Sequence, residues 1–166
     1  AILGFDCQRE TLEVCRRVGY LPGELRLYGG MTGRDTLALF ARLRGDEGAL
    51  ARSHEIAAEL DLDLDRKASA YSKGNRQKLG VLLALLGEPQ VLLLDEPTSG
   101  RDPLVQRAVW GILRREADRG TTVFFSSHVM SEVEGTCERV GILRQGRLAA
   151  VEPVAALKGR SIRHVE

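Results

Sequence analysis

The feature that most constrains this chain is the stretch Glu88–Asp102, which reads EPQVLLLDEPTSGRD. Its four apolar residues, Val91–Leu94, run directly into two carboxylates, Asp95 and Glu96. A short apolar run that ends in acid predicts a strand buried on both faces, with its carboxyl end at a site. Pro97 then stops the strand, because proline cannot donate a backbone hydrogen bond.

The two adjacent carboxylates need a physical reason to lie together. Ligands of open α/β sheets bind at the carboxyl ends of the strands, which is where Asp95 and Glu96 are expected. Neighbouring carboxylates repel each other unless a cation or a proton intervenes. A Mg²⁺ ion on Asp95, with Glu96 free as a base, satisfies this requirement. A core strand that merely ends in solvated acids has the same sequence, so the residues alone leave both interpretations open.

Composition narrows the class of protein. The chain has 166 residues, enough for one domain with a core, and a net charge of +1. This balance gives no electrostatic argument for binding nucleic acid or a membrane surface. The three cysteines predict neither a disulfide framework nor a metal site, and free thiols fit a reducing compartment. The longest apolar run, Val81–Leu86, is far shorter than the ~20 residues that cross a bilayer, and no signal peptide is recognisable.

Periodicity and turn residues predict an alternation of strands and helices. The predicted strands are Ala1–Leu3, Val18–Leu21, Val91–Leu94 and Thr121–Ser126, with a hairpin of Val140–Arg144 and Arg147–Val151. The predicted helices are Arg9–Arg17, Thr32–Arg44, Ala49–Leu60, one that opens at Ser72 and ends before Gly87, Pro103–Arg119 and Val129–Glu138. This order predicts a parallel sheet covered on both faces. The stretch Thr32–Leu60 is expected to be an insert on that sheet, without a core of its own.

A candidate anion site lies at the start of the helix that opens at Ser72. A serine and a glycine at a helix N-terminus leave backbone N–H groups free for an anion, and Lys73 adds positive charge. Gly74 would allow a ligand to approach closely. An ordinary serine N-cap on a core helix has the same sequence, so this segment alone does not decide between an anion site and a plain helix cap.

Two further segments lie next to predicted strand ends. His128 comes directly after the strand Thr121–Ser126, where an imidazole could hydrogen-bond a phosphate. Ser99–Asp102 follows the acidic pair, and its Asp102-Pro103 step is typical of a helix start. A solvated loop histidine and a plain turn are the alternative interpretations of the two segments.

Taken together, in this order and spacing, the segments resemble the nucleotide-binding domain of ATP-binding cassette (ABC) ATPases. Ser72–Gln77 (SKGNRQ) is similar to the signature motif and Val91–Glu96 to Walker B with its catalytic glutamate. Ser99–Asp102 is similar to the D-loop, Ser126–His128 to the H-loop, and Gly19–Glu24 to the segment entering the Q-loop. The resemblance covers nearly the whole chain. The residues of its motifs, SKGNRQK and DEPTSG, are most similar to those of bacterial ATPases that pair with ABC-2-type export permeases.

The resemblance implies roles for these residues in a head-to-tail dimer that sandwiches two ATP molecules. Asp95 would bind Mg²⁺, Glu96 would orient or deprotonate the attacking water, and His128 would contact the γ-phosphate. In the D-loop, Ser99 and Asp102 would lie at the dimer interface, where Asp102 would signal to the partner. The signature residues would contact the nucleotide of the opposite protomer, and they are Ser72, Lys73, Gly74 and Asn75.

Three departures from the family pattern bear on the site. No G-x-x-x-x-G-K-[ST] phosphate-binding loop occurs in the sequence. In this family that loop lies upstream of the position where this chain starts, so we expect Ala1 to fall after it and the chain to hold part of a nucleotide site. Gly23 stands at the position of the Q-loop glutamine, for which Glu24 is the candidate substitute. Arg101 replaces an apolar D-loop residue, which bears on packing across the dimer.

The fold implied by the resemblance is α/β, a partial P-loop NTPase (RecA-like) parallel sheet with an inserted helical subdomain. Residues 1–22 would be a remnant of the catalytic core, and residues 23–82 the helical subdomain with the signature motif. Residues 83–152 would form the catalytic core with Walker B, D-loop and H-loop, and residues 153–166 a C-terminal tail.

The function implied is that of the ATP-binding and ATP-hydrolysing subunit of an ABC transporter, an exporter, with ATP and Mg²⁺ as cofactors. Its partners would be a second nucleotide-binding domain, in a homodimer, and a transmembrane permease contacted by Glu24–Leu60, with no nucleic acid. The protein would then lie at the cytoplasmic face of the cell membrane, bound through the permease. The alternatives are a truncated or pseudo-ATPase module without activity of its own, and a non-transport ABC ATPase.

Overall fold

Three short strands form a parallel sheet, and they are β1 (Val18–Leu21), β2 (Val91–Asp95) and β3 (Thr122–Ser126). The computed structural model describes residues 1–46, 48–98 and 103–156. The strand order is β1-β2-β3, so β2 lies in the centre. Asp95 pairs with Ser126 at the end of the β2–β3 ladder. The acidic end of β2 therefore lies beside the end of β3, as expected for parallel strands.

Six α-helices occur in the described part of the chain, close to the predicted positions. They are α1 (Thr11–Arg17), α2 (Gly33–Arg44), α3 (Ala49–Glu59), α4 (Lys73–Leu85), α5 (Pro103–Asp118) and α6 (Met130–Thr136). No described helix is long and apolar enough to span a membrane. Two compact units are distinguished, residues 1–126 and residues 127–166.

The second unit contains α6 and an antiparallel hairpin of β4 (Arg139–Arg144) and β5 (Arg147–Pro153). Its two-residue turn has positive φ at both positions, 50° at Gln145 and 73° at Gly146. A turn of this kind matches the right-handed twist of the paired strands. The hairpin predicted from these two residues is confirmed.

The helical insert shares one core with the sheet, as predicted. Leu37 of α2 and Ile56 of α3 belong to the same buried cluster as Leu82 of α4, Leu92 of β2 and Ile112 of α5. Shared burial of this kind contributes most of the stability of short helices, because isolated helices of this length are marginal in water.

The start of α2 carries the predicted capping box. The Thr32 hydroxyl oxygen accepts from the Asp35 backbone N–H at 3.0 Å, and the Asp35 carboxylate accepts from the Thr32 backbone N–H at 3.0 Å. The bond from the Thr32 N–H holds the pKa of Asp35 below its usual value. The two bonds satisfy N–H groups that the first helical turn leaves free.

The described residues cover one face of the sheet closely and the other face in part. On the first face, Leu21, Leu92 and Leu94 are at most 3% exposed. On the other face, Val18 and Val91 are 9% exposed, whereas Tyr20 and Phe124 are 61% and 67% exposed. The predicted cover of both faces is therefore complete on one face and partial on the other.

One local prediction fails. Ala1–Leu3 does not end a strand, because Ile2 pairs with Phe5 across a tight turn in which Leu3 and Gly4 have φ of 53° and 85°. The deciding contacts lie within this turn, which hydrophobic periodicity does not report.

Strand β1 and helix α4 approach each other unusually closely. A β-carbon built on Gly19 would overlap the carbonyl oxygen of Ala84 and lie 2.7 Å from Leu92 Cδ2. A β-carbon on Gly80 would lie 2.5 Å from Leu21 Cδ1. Glycine at both positions lets the backbones meet, which fixes α4 against the sheet.

Candidate functional site

The candidate site is built around the carboxyl end of β2, where Asp95 and Glu96 are adjacent. Asp95 is exposed, and its Oδ1 accepts a hydrogen bond from Ser126 Oγ at 2.6 Å. The same Ser126 oxygen accepts from the backbone N–H of Glu96 at 3.0 Å. One hydroxyl at the end of β3 therefore holds the carboxylate of the first acid and the backbone of the second.

Glu96 has an unusual backbone conformation. Its φ is 46°, in the left-handed region that non-glycine residues adopt only when their surroundings impose it. Gln77 of α4 donates from Nε2 to the Glu96 carbonyl oxygen at 2.7 Å. The peptide groups on both sides of Glu96 Cα are thus held by β3 on one side and by α4 on the other.

Gly23 lies against Asp95. A β-carbon at Gly23 would be 2.8 Å from Asp95 Oδ2 and 3.4 Å from its Cγ. The absence of a side chain at Gly23 therefore allows the loop after β1 to approach the carboxylate. Glu24 is exposed, and its role as a substitute for that glutamine stays a prediction.

The donor set around Asp95 fits a Mg²⁺ ion completed by phosphate and water. Mg²⁺ is usually held by one or two carboxylates together with substrate phosphates and several waters. Asp95 supplies one exposed carboxylate, and the described residues contain no group of three or more His, Cys, Asp or Glu side chains arranged to hold a metal. The protein side of such a site is therefore Asp95, oriented by Ser126.

The predicted anion site lies at the start of α4. Ser72 is the N-cap, and its side-chain oxygen accepts from the Asn75 backbone N–H at 3.2 Å. Ser72 and Lys73 are exposed, and a β-carbon built on Gly74 would lie 3.8 Å from Ser72 Oγ, an ordinary contact distance. The helix N-terminus is thus accessible and carries the partial positive charge that attracts phosphates. An anion role for these residues stays a prediction.

The helix brings two parts of the site into one element. Ser72 caps α4, and Gln77 lies five residues further along the chain, about 7.5 Å along the helix axis. Because Gln77 contacts Glu96, the N-terminal half of α4 and the end of β2 are neighbours within one chain.

Two further predicted segments follow β2 and β3 in the sequence. His128 belongs to the second unit and is exposed, two residues past the end of β3. The neighbouring Ser127 donates to Glu132 Oε2 at 2.7 Å and accepts from the Val129 N–H at 3.0 Å. Ser99 and Asp102 lie outside the described residues.

Sequence reasoning named Gln77 and Ser126 as members of two motif-like segments but missed their hydrogen bonds to the acidic pair. Gln77 is 8% exposed on a helix whose neighbouring residues pack in the core. A polar side chain at a buried helix position is a signal that it has a specific hydrogen-bond partner. The partner, 19 residues away in sequence, is identified only by the fold.

Comparison with known proteins gives related sequences over nearly the whole chain. Residues 21–134 match the family described as "AAA domain, putative AbiEii toxin, Type IV TA system". The chain is 38% identical to ATP-binding cassette sub-family A member 7 of Mus musculus over 163 residues, which is 96% of this chain and 8% of that protein. It is 39% identical to phospholipid-transporting ATPase ABCA7 of Homo sapiens, again over 96% of this chain and 8% of that protein.

Solved structures agree with these sequence matches. An ATP-binding subunit of an ABC transporter has the same fold, with a TM-score of 0.89 and 26% identity. The match covers 100% of this chain and 71% of that subunit. The chain spans less than a tenth of the length of the curated relatives named above, 8% in each case.

Proposed function

Because the chain belongs to the AAA-type ATPase domains and, among them, to the ATP-binding cassette domains, we propose that it hydrolyses ATP for a membrane transporter. Its α/β fold is that of the P-loop NTPases. The observation that carries the proposal is the Asp95–Glu96 pair at the end of β2, held in place by Ser126. In the protein that contains this chain, hydrolysis would drive movement of a permease, in an exporter.

The chemistry assigned to this pair is positioning and charge stabilisation, which dominate phosphoryl transfer. When bound at Asp95, Mg²⁺ neutralises charge on the phosphate oxygens. Ser126 keeps the Asp95 carboxylate oriented toward that position. Glu96 orients the attacking water and accepts its proton, and His128 contacts the γ-phosphate.

The signature residues are proposed to act across a dimer. Ser72, Lys73, Gly74 and Asn75 would contact the ATP held by a second nucleotide-binding domain, with Ser99 and Asp102 at the same interface. The support is the exposed N-terminus of α4, with its cap and free N–H groups. A homodimer supplies two such sites.

Ser72→Arg is expected to block ATP-dependent dimer formation, because the long side chain fills the space reserved for the phosphate. Sedimentation velocity with and without Mg-ATP measures this, and the wild type should sediment as a dimer with nucleotide. Ser69→Arg is the matched control, since Ser69 is exposed and the charge change is the same. Dimers that form equally well in Ser72→Arg would refute the role of this helix terminus.

The permease contact is proposed for Glu24–Leu60. This stretch exposes large apolar side chains, with Tyr28 at 67% and Leu43 at 73% exposure. Such side chains suit a protein interface. Binding to a permease would hold the protein at the cytoplasmic face of the membrane.

Phosphate release from ATP tests the proposed function. The protein that contains this chain is purified with its membrane partner in lipid vesicles and assayed with Mg²⁺ and with EDTA. We expect saturable, Mg²⁺-dependent hydrolysis that changes when the permease is removed. No hydrolysis would favour the pseudo-ATPase alternative, and hydrolysis indifferent to the permease would favour a non-transport ATPase.

A further inference from the structure

We propose that Gln77 is a positioning residue for hydrolysis, because it holds the backbone of Glu96 in the conformation that aims the Glu96 carboxylate. This inference rests on the proposed function and gives Gln77, the last residue of the segment Ser72–Gln77, a role that the sequence did not indicate. Gln77 does not contact the reacting atoms. It acts through the carbonyl group of its neighbour at the end of β2.

The contact itself is short and shielded from solvent. Gln77 Nε2 lies 2.7 Å from the Glu96 carbonyl oxygen, and Gln77 is 8% exposed. Water therefore competes little for the donor, and the bond has a fixed geometry. Because α4 packs tightly on β1 through Gly19 and Gly80, the donor is carried by a rigid element.

The conformation that this bond holds is an uncommon one. Glu96 has a φ of 46°, which a residue with a side chain adopts only when its surroundings over-determine it. The bonds from the Glu96 N–H to Ser126 Oγ and from Gln77 Nε2 to the Glu96 carbonyl oxygen contribute to that constraint. Loss of one allows the peptide to rotate, and the direction of the Cα–Cβ bond rotates with it.

A neutral amide is the suitable donor at this position. A cationic side chain beside Glu96 would stabilise the ionised carboxylate and lower its pKa, which would weaken it as a base. A carboxylate has no N–H and would repel the carbonyl oxygen. Glutamine donates a hydrogen bond without adding a charge, which explains a buried polar residue on the core side of α4.

Two substitutions separate positioning from packing. Gln77→Met keeps the length of the side chain and removes the donor, whereas Gln77→Glu places an acceptor against the carbonyl oxygen. In vesicles containing the complete protein, we expect kcat for ATP hydrolysis to fall by about tenfold to a hundredfold, since small displacements of a reacting group cost this much. The KM for ATP and the affinity for a non-hydrolysable ATP analogue should change less than twofold.

The control is Gln90→Glu, which makes the same charge change at an exposed glutamine beside β2. Its kcat should match the wild type. Thermal unfolding of all variants is measured in parallel, and a fall in kcat at an unchanged midpoint supports the positioning role.

Two results would overturn the inference. One is a kcat within twofold of the wild type in both Gln77 variants. The other is a fall in kcat that is accompanied by an equal loss of nucleotide affinity or by unfolding in both variants, which would make Gln77 a purely structural residue. An inactive wild type is a different outcome, visible before any substitution, and it removes the proposed function together with this inference.

Discussion

Glu96→Gln lowers the rate of ATP hydrolysis by about 10²–10⁴-fold, the range expected for loss of a general base. The substituted amide has nearly the same shape and keeps the backbone bonds to Ser126 and Gln77, since both involve only the peptide groups of Glu96. What disappears is the proton acceptor and the negative charge that orient the water. ATP binding and dimer closure should therefore persist, and the dimer should trap ATP.

Stopped-flow phosphate release gives the rate, and equilibrium binding of labelled ATP gives the affinity. Glu138→Gln, at an exposed position directly before β4, is the matched control and should hydrolyse ATP at the wild-type rate. Turnover of Glu96→Gln within a few-fold of the wild type would mean that another group activates the water. Loss of ATP binding in Glu96→Gln would mean that the carboxylate holds the nucleotide rather than the water.

Gly19→Ala destabilises the first unit by about 3 kcal/mol, at the upper end of the usual cost of overpacking. The added methyl group would overlap the carbonyl oxygen of Ala84, which belongs to the backbone of α4 and cannot rotate away. It would also press on Leu92, at the centre of the core. Relief requires β1 and α4 to separate, which opens the buried cluster.

Urea unfolding followed by far-ultraviolet circular dichroism measures this change. The control is Gly111→Ala in α5, where the nearest atom to the added carbon is Arg115 Nη1 at 3.9 Å. That variant should be more stable by about 0.5–1 kcal/mol, because alanine loses less conformational freedom in a helix than glycine does. Equal stabilities of Gly19→Ala and the wild type would contradict the close packing of β1 on α4.

Local sequence signals were sufficient for most of the elements. Thr32 and Asp35 form the capping box that their spacing predicts, and Ser72 caps α4 as expected. Gln145-Gly146 turns the hairpin because both residues adopt positive φ. Each of these structures is decided by residues within one turn of each other, so the sequence contains the deciding information.

Contacts between residues far apart in the sequence could not be predicted from local sequence signals. Asp95 and Glu96 were identified because they end an apolar run, but their hydrogen-bond partners Ser126 and Gln77 lie 31 and 19 residues away. The exposure of Tyr20 and Phe124 could not be foreseen either, since aromatic side chains are typical of strands and do not indicate which face is covered. Which face of a strand is covered depends on the packing of helices, and this is a property of the whole fold.

The most direct test is an experimental structure of the protein that contains this chain, with Mg²⁺ and a non-hydrolysable ATP analogue. We expect the ion at Asp95, bound directly or through water, and the Glu96 carboxylate facing a water in line with the γ-phosphate. Ser72 of a second copy should contact the same γ-phosphate from the opposite side. A nucleotide bound away from the end of β2, or an ion with no contact to Asp95, would contradict the assignment of this site.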